Sequence, residues 1–156
     1  MSAEQHMRAA IRLAEEGLQA GRGGPFGCVV VRRGEIVGRG QNRVTSTNDP
    51  TAHAEVLAIR DACARLGTFS LADCELYTSC EPCPMCLAAI YWARIPAIFF
   101  GNTREDAAAI GFDDAAIYRE VALPPDRRTV PMQPLLRDEA QKAFRAWADK
   151  PDKVRY

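Results

Sequence analysis

Two clusters constrain this chain more than anything else in it: His53-Ala54-Glu55, and, further on, Pro82-Cys83-Pro84-Met85-Cys86. Together they supply one imidazole, two thiols at i and i+3, and a carboxylate two residues past the histidine. Zinc takes Cys sulfur and His nitrogen, and a catalytic zinc keeps its fourth position open for water. Bound water falls in pKa to about 7 and becomes a usable nucleophile. Glu55 is placed to take that water's proton and hand it on. Proline is tolerated in the first turn of a helix, so Pro82 and Pro84 put the thiol pair at a helix start, both sulfurs on one face. Asn48-Asp49-Pro50 breaks the chain, and a second helix follows with Val56, Ile59, Cys63 and Leu66 on one face, ending at Gly67. A fold that uses both clusters must therefore bring two helix N-termini together, as two helices starting from adjacent strand ends would do. The positive ends of those helices favour thiolate.

Plainer readings compete at each position. A structural zinc knuckle would need a fourth ligand, and Cys80 is the nearby candidate. Glu55 in isolation would serve to offset a helix dipole. His6, on the polar side of the first helix, reads as a solvated residue, which leaves His53 as the nitrogen ligand. Cys28, Cys63 and Cys74 sit in apolar surroundings and read as small buried hydrophobes, so the six cysteines do not form a secreted disulfide framework.

At 156 residues the chain is expected to form one domain. No apolar run is long enough to span a membrane, and Met1 to His6 lack the basic and apolar regions of a signal peptide, so a cytoplasmic protein is expected. Lys+Arg and Asp+Glu balance at 20 each. Affinity for nucleic acid comes largely from phosphate contacts by basic residues, so this balance disfavours such a substrate and suits a small neutral one.

Periodicity gives the rest. Met7, Ala10, Ile11, Ala14 and Leu18 make a first helix, stopped by Gly21, Gly23 and Gly24. Phe26 to Val31 and Ile36-Val37 form a hairpin about Arg33-Gly34. Leu76 to Thr78 and Ile98 to Phe100 are strands, and the helix from Met85 to Ala93 is apolar nearly all round, as expected of one buried against a sheet. Thr129-Val130 is a candidate edge strand limited by Pro131. Leu136, Ala140, Ala143, Phe144 and Trp147 mark a last helix. This order implies an α/β fold, a mixed sheet with helices on both faces.

The succession His-x-Glu then Pro-Cys-x-x-Cys is the known signature of zinc-dependent nucleobase deaminases. The chain resembles the cytidine-deaminase superfamily, and within it the bacterial guanine deaminases, from end to end. The likeness runs through Gly23-Gly24-Pro25-Phe26-Gly27, Asn48 to Glu55, Tyr77 to Cys86, Ala89 to Arg94 and Gly111-Phe112-Asp113-Asp114. It implies a three-layer α/β/α fold about a mixed five-stranded sheet, with one zinc per subunit on His53, Cys83 and Cys86. It also implies that Glu55 shuttles protons, Asp114 acts as a second acid near the leaving amine, and Asn42 hydrogen-bonds the purine. Phe26 and Trp92 wall the purine's plane, and Ala54 joins them as a substrate-binding residue. The tail, residues 150–156, is expected to be exchanged between two subunits so that Tyr156 closes the partner's site, in a homodimer. Rivals within the superfamily are deaminases of tRNA adenosine, cytosine, guanosine or amino-triazines. A rival of another class is a non-catalytic zinc-binding protein on the same fold.

Overall fold

Residues 28–31 are apolar on both parities, which suits a strand covered on both faces. The computed structural model, which describes residues 1–156, uses them in that way. β1 (Gly27–Arg32) pairs antiparallel with β2 (Glu35–Gln41) on one side and with β3 (Cys74–Cys80) on the other. β4 (Ala97–Asn102) runs parallel to β3, giving the order β2-β1-β3-β4. Cys28 and Val30 pack on α3 (Ala54–Leu66) and α4 (Pro84–Trp92) in a cluster with Ala58, Leu76 and Ile90. Val29 and Val31 turn to the other face, against Ala9 and Ala10 of α1 (Ala3–Gln19). The fold is thus three-layered and its sheet mixed, as expected.

The sheet has four strands, not five. Thr129-Val130 joins no ladder, because the Glu120 carboxylate takes the Thr129 N–H and hydroxyl at 2.8 and 2.7 Å. Pro131 then offers no donor to a neighbour. The chain beyond β4 instead forms three helices, α5 (Arg104–Ala109), α6 (Ala115–Ala122) and α7 (Arg137–Asp149). α4 is not buried all round either: Cys86 and Ile90 face the core while Tyr91 and Trp92 are exposed.

Two helices meet the sheet through smaller side chains than their sequences suggest. α1 buries His6, Ala10, Ala14 and Gly17, leaving Ile11 and Leu18 exposed. His6, expected in solvent, is 3% exposed, lies 5.1 Å from the Tyr77 ring, and has Nε2 3.1 Å from the Gly34 carbonyl oxygen. α3 likewise buries Ala54, Ala58 and Ala62, while Val56, Ile59, Cys63 and Leu66 are only half-buried. The reason is close approach. A β-carbon added at Gly40 would lie 2.6 Å from the Ala58 nitrogen and press into the Ala54 carbonyl. Large side chains therefore flank each contact rather than fill it.

β2 and β3 both run antiparallel to β1, so β2, β3 and β4 end along one rim, where β1 begins. Open α/β sheets place their sites at such rims. A short helix, α2 (Val44–Thr47), sits in the loop after β2. Gly40→Ala should push α3 off the sheet, destabilising the protein by about 1–3 kcal/mol as overpacking does. Urea unfolding of the metal-loaded protein checks this, together with an expected loss of metal retention, since α3 carries His53 at its start.

Candidate active site

His53 is the N-cap of α3 and Cys83 the N-cap of α4, both in extended backbone conformation. Pro84 at N1 of α4 fixes that helix start, and the Cys86 N–H donates to the Cys83 sulfur at 3.5 Å. The rim brings the two N-termini face to face. His53 Nδ1 lies 3.6 Å from Cys83 Sγ and 3.5 Å from Cys86 Sγ, and the three ligand atoms fall within 4.8 Å of one another. Tetrahedral bonds of about 2.3 Å to sulfur and 2.0–2.1 Å to nitrogen would hold such atoms about 3.6 Å apart. The donor set and its spacing therefore fit zinc. Cys80 is no fourth ligand: its thiol points to the Thr103 carbonyl oxygen at 3.7 Å.

Cys83 is held well below the usual thiol range, chiefly by the hydrogen bond from Cys86, while that same bond and burial push Cys86 up. Glu55 is buried at 6% exposure, one residue inside α3, and desolvation raises its carboxyl above the ordinary range. The Thr78 hydroxyl donates to Glu55 Oε1 at 3.2 Å from the floor of β3. Thr78 carried a readable signal: it continues the inward parity of Cys74 and Leu76, where an apolar residue is expected.

A cavity of about 270 Å³ opens over these groups, lined by His53, Glu55, Cys83, Asn42, Phe26 and Asp114 among others. Drug-sized ligands occupy roughly 300–1,000 Å³, so this cavity suits a small occupant. Asn42 is buried, and its Oδ1 accepts from the Gly24 N–H at 3.1 Å and the Val44 N–H at 3.2 Å. Two backbone donors settle which way the amide points, so Asn42 offers an occupant only its N–H groups. Phe26 is braced edge-on by Phe112, ring centroids 4.9 Å apart at 88°. Asp114 caps α6, half-buried, its carboxyl raised by burial and then by the charge of Cys83.

Three expected residues are placed elsewhere. Ala54 is wholly buried in the core, behind the ligand it follows. Trp92 and Tyr156 meet each other, centroids 6.0 Å apart, beyond the end of α4, and do not line the cavity of their own chain. Conversely Phe112, Cys80 and Glu81 line the cavity though the sequence singled out none of them for it.

Residues 1–102 match the family model for the cytidine and deoxycytidylate deaminase zinc-binding region. The guanine deaminase of Bacillus subtilis is 53% identical over 156 residues, all of both chains. Its crystal structure superposes with a TM-score of 0.96, at 52% identity over 100% of this chain and 99% of that one. A guanine deaminase structure from Nitrosomonas europaea gives a TM-score of 0.70 at 32% identity, covering 93% of this chain and 84% of that one. A tRNA-specific adenosine deaminase of Aquifex aeolicus is 43% identical over 100 residues, 64% of this chain and 66% of that one.

The geometry predicts one zinc per chain. Elemental analysis after dialysis should find about one equivalent in the parent protein and in Glu55→Ala, and well under half in Cys83→Ala. Loss of the metal from Glu55→Ala would make that carboxylate a ligand and overturn the three-ligand assignment.

Proposed function

The chain belongs to the cytidine and deoxycytidylate deaminase family of zinc enzymes, and on that premise we propose that it hydrolyses guanine to xanthine and ammonia. The observation that carries guanine over other bases is the likeness to guanine deaminase along the whole chain, past the zinc-binding region, where Phe112 and Asp114 enter the cavity. His53, Cys83 and Cys86 would hold zinc, which would supply a water acidic enough to attack near neutral pH. Glu55 takes the proton of the attacking water as the C2–O bond forms. Burial raises the affinity of its carboxyl for protons, so it can pass that first proton to the ring nitrogen beside C2, then take the proton of the new C2 hydroxyl and give it to the departing amine. Breaking the C2–N bond then releases ammonia, with Asp114 assisting at the leaving group. Asn42 donates to the base's acceptors. Guanine carries a carbonyl oxygen where adenine carries an amino donor, so a donor-only reader favours guanine. Phe26 walls the ring's plane, and Ala54 serves by seating α3 in the core.

A tRNA adenosine substrate has less in its favour. The tRNA-specific relative matches only 64% of this chain, the cavity is small, and net charge is zero. A non-catalytic role would leave no reason to bury an acid and hold it with Thr78 beside the metal ligands. No helix is long and apolar enough to cross a membrane. All six cysteines are free, which suits a reducing compartment and supports the cytoplasm.

The second half of the reading is a homodimer whose C-terminal tails cross. α6 and α7 contain no buried residue, and Phe144, Leu135, Tyr91, Trp92 and Phe100 are all exposed. An apolar surface on that scale calls for a partner, and a second copy presents the same faces. Residues 150–156 then lie against the partner, where Tyr156 and Trp92 serve as aromatic walls that no single chain supplies to its own cavity.

Ammonia release should be well above background with guanine and weak with guanosine, adenine, cytosine and ammeline. Asn42→Asp should lower kcat/KM for guanine on the order of 100-fold, because the donor facing the base is replaced by an acceptor. Equal activity on adenine would overturn the guanine assignment. Tail exchange has its own check. A chain lacking 150–156 and Glu55→Ala should each be nearly inactive alone, and their co-expression should restore turnover. No restoration would mean that the tail acts in its own chain or not at all.

A further inference from the structure

α6 carries Asp114 at its N-cap, yet no residue of that helix is buried. Apolar packing within the chain therefore does not set where Asp114 sits. A polar ring does. Glu81 Oε2 accepts the Arg104 backbone N–H at 2.9 Å, and its Oε1 accepts Arg104 Nε and Nη2 at 3.1 and 2.8 Å. The Arg104 guanidinium carbon then lies 4.2 Å from the centroid of the Tyr118 ring. Tyr118 closes the circuit by donating its hydroxyl to the Pro82 carbonyl oxygen at 2.8 Å. Glu81 and Pro82 directly precede Cys83, and the Tyr118 N–H bonds the Asp114 carbonyl oxygen at 3.0 Å, one turn back in α6.

We propose that Arg104 and Tyr118 are positioning residues, which latch the helix bearing Asp114 onto the loop bearing the first metal thiol. The arrangement suits that task. A guanidinium that gives two N–H groups to one carboxylate oxygen, while its own backbone N–H binds the other, is fixed in direction as well as distance, and its face is free to stack on an aromatic ring. Glu81, Cys83 and Asp114 all line the cavity, so the latch sets how the two segments stand relative to each other there. This inference rests on the reading of Asp114 as the second acid.

Tyr118→Phe is the decisive variant, since it keeps the ring on Arg104 and removes only the hydroxyl to Pro82. Hydrogen exchange measured on the zinc-loaded variant should quicken at residues 114–122 and stay unchanged in β1 and β3. With guanine, kcat should fall roughly tenfold with KM little moved, since displaced catalytic groups cost rate before binding. In an Asp114→Asn background the same change should alter kcat by less than about twofold, because positioned and positioning groups do not add. Arg104→Lys, which keeps the charge and loses the fork, should reproduce both patterns. Unchanged exchange in α6, or effects on kcat that multiply in the double variant, would overturn the latch. Full turnover by Asp114→Asn alone would overturn the role given to that acid, and the exchange rates would then decide the latch by themselves.

Discussion

Everything at the site depends on how closely α3 lies on the sheet. Its alanines meet Gly38 and Gly40 of β2, and a methyl at either glycine would collide with the helix backbone. That contact fixes the height of the helix above the strands, and with it the height of His53 at its N-cap. Cys83 and Cys86 are set independently, by the end of β3 and by Pro84. Three ligand atoms from two separate helices converge within 4.8 Å because both supports are rigid. A helix resting on leucines would stand further out, and the imidazole would withdraw from the thiols. Small residues at the helix–sheet contact are thus part of the metal chemistry although none touches metal.

This also explains which features were legible in the sequence. The metal ligands and Glu55 were readable because their chemistry is local: residue types, spacing and helix-start signals all lie within short segments. The doubly covered β1 was readable because both parities are apolar. What the sequence obscured was which face of each helix is inward. Period and hydrophobicity pointed to Ile11 and Leu18 on α1, and to Val56, Ile59, Cys63 and Leu66 on α3. On α1 the structure buries the expected Ala10 and Ala14 but adds His6 and leaves Ile11 and Leu18 exposed, and on α3 it buries Ala54, Ala58 and Ala62 instead. Hydrophobicity says how much a side chain gains by burial and nothing about the distance available, and here distance decides. His6 was misread for that reason. The fifth strand failed on another ground, since the Thr129 donors were already engaged by Glu120, a contact nine residues away that no local pattern announces.

The chain divides unequally between chemistry and selection. The zinc-binding region delivers the ligands, Glu55 and the Thr78 that holds it. Such a centre activates water without regard to the base in front of it. On the proposed reading, bases are distinguished by groups arranged around it and anchored to the backbone. Asn42 is turned by two N–H donors, and Phe26 is braced by Phe112. Phe112 and Asp114 come from the segment after β4, where the likeness to guanine deaminase continues and the zinc-region match has ended.

That later segment is also where a single chain fails to build a core. α4 turns Tyr91 and Trp92 outward, and α7 leaves both Phe144 and Trp147 exposed. Residues chosen at helical spacing for burial, yet left exposed, are informative because solvated helices do not need them. In the proposed dimer, the copy that supplies the missing cover would bring Tyr156 and Trp92 toward a cavity that they do not line in their own chain. Stability and site closure would then come from one event, and a chain whose apolar faces stay bare would also be one whose site stays open to water. In a reaction that depends on a buried carboxylate, exclusion of bulk water strengthens every electrostatic term the site relies on.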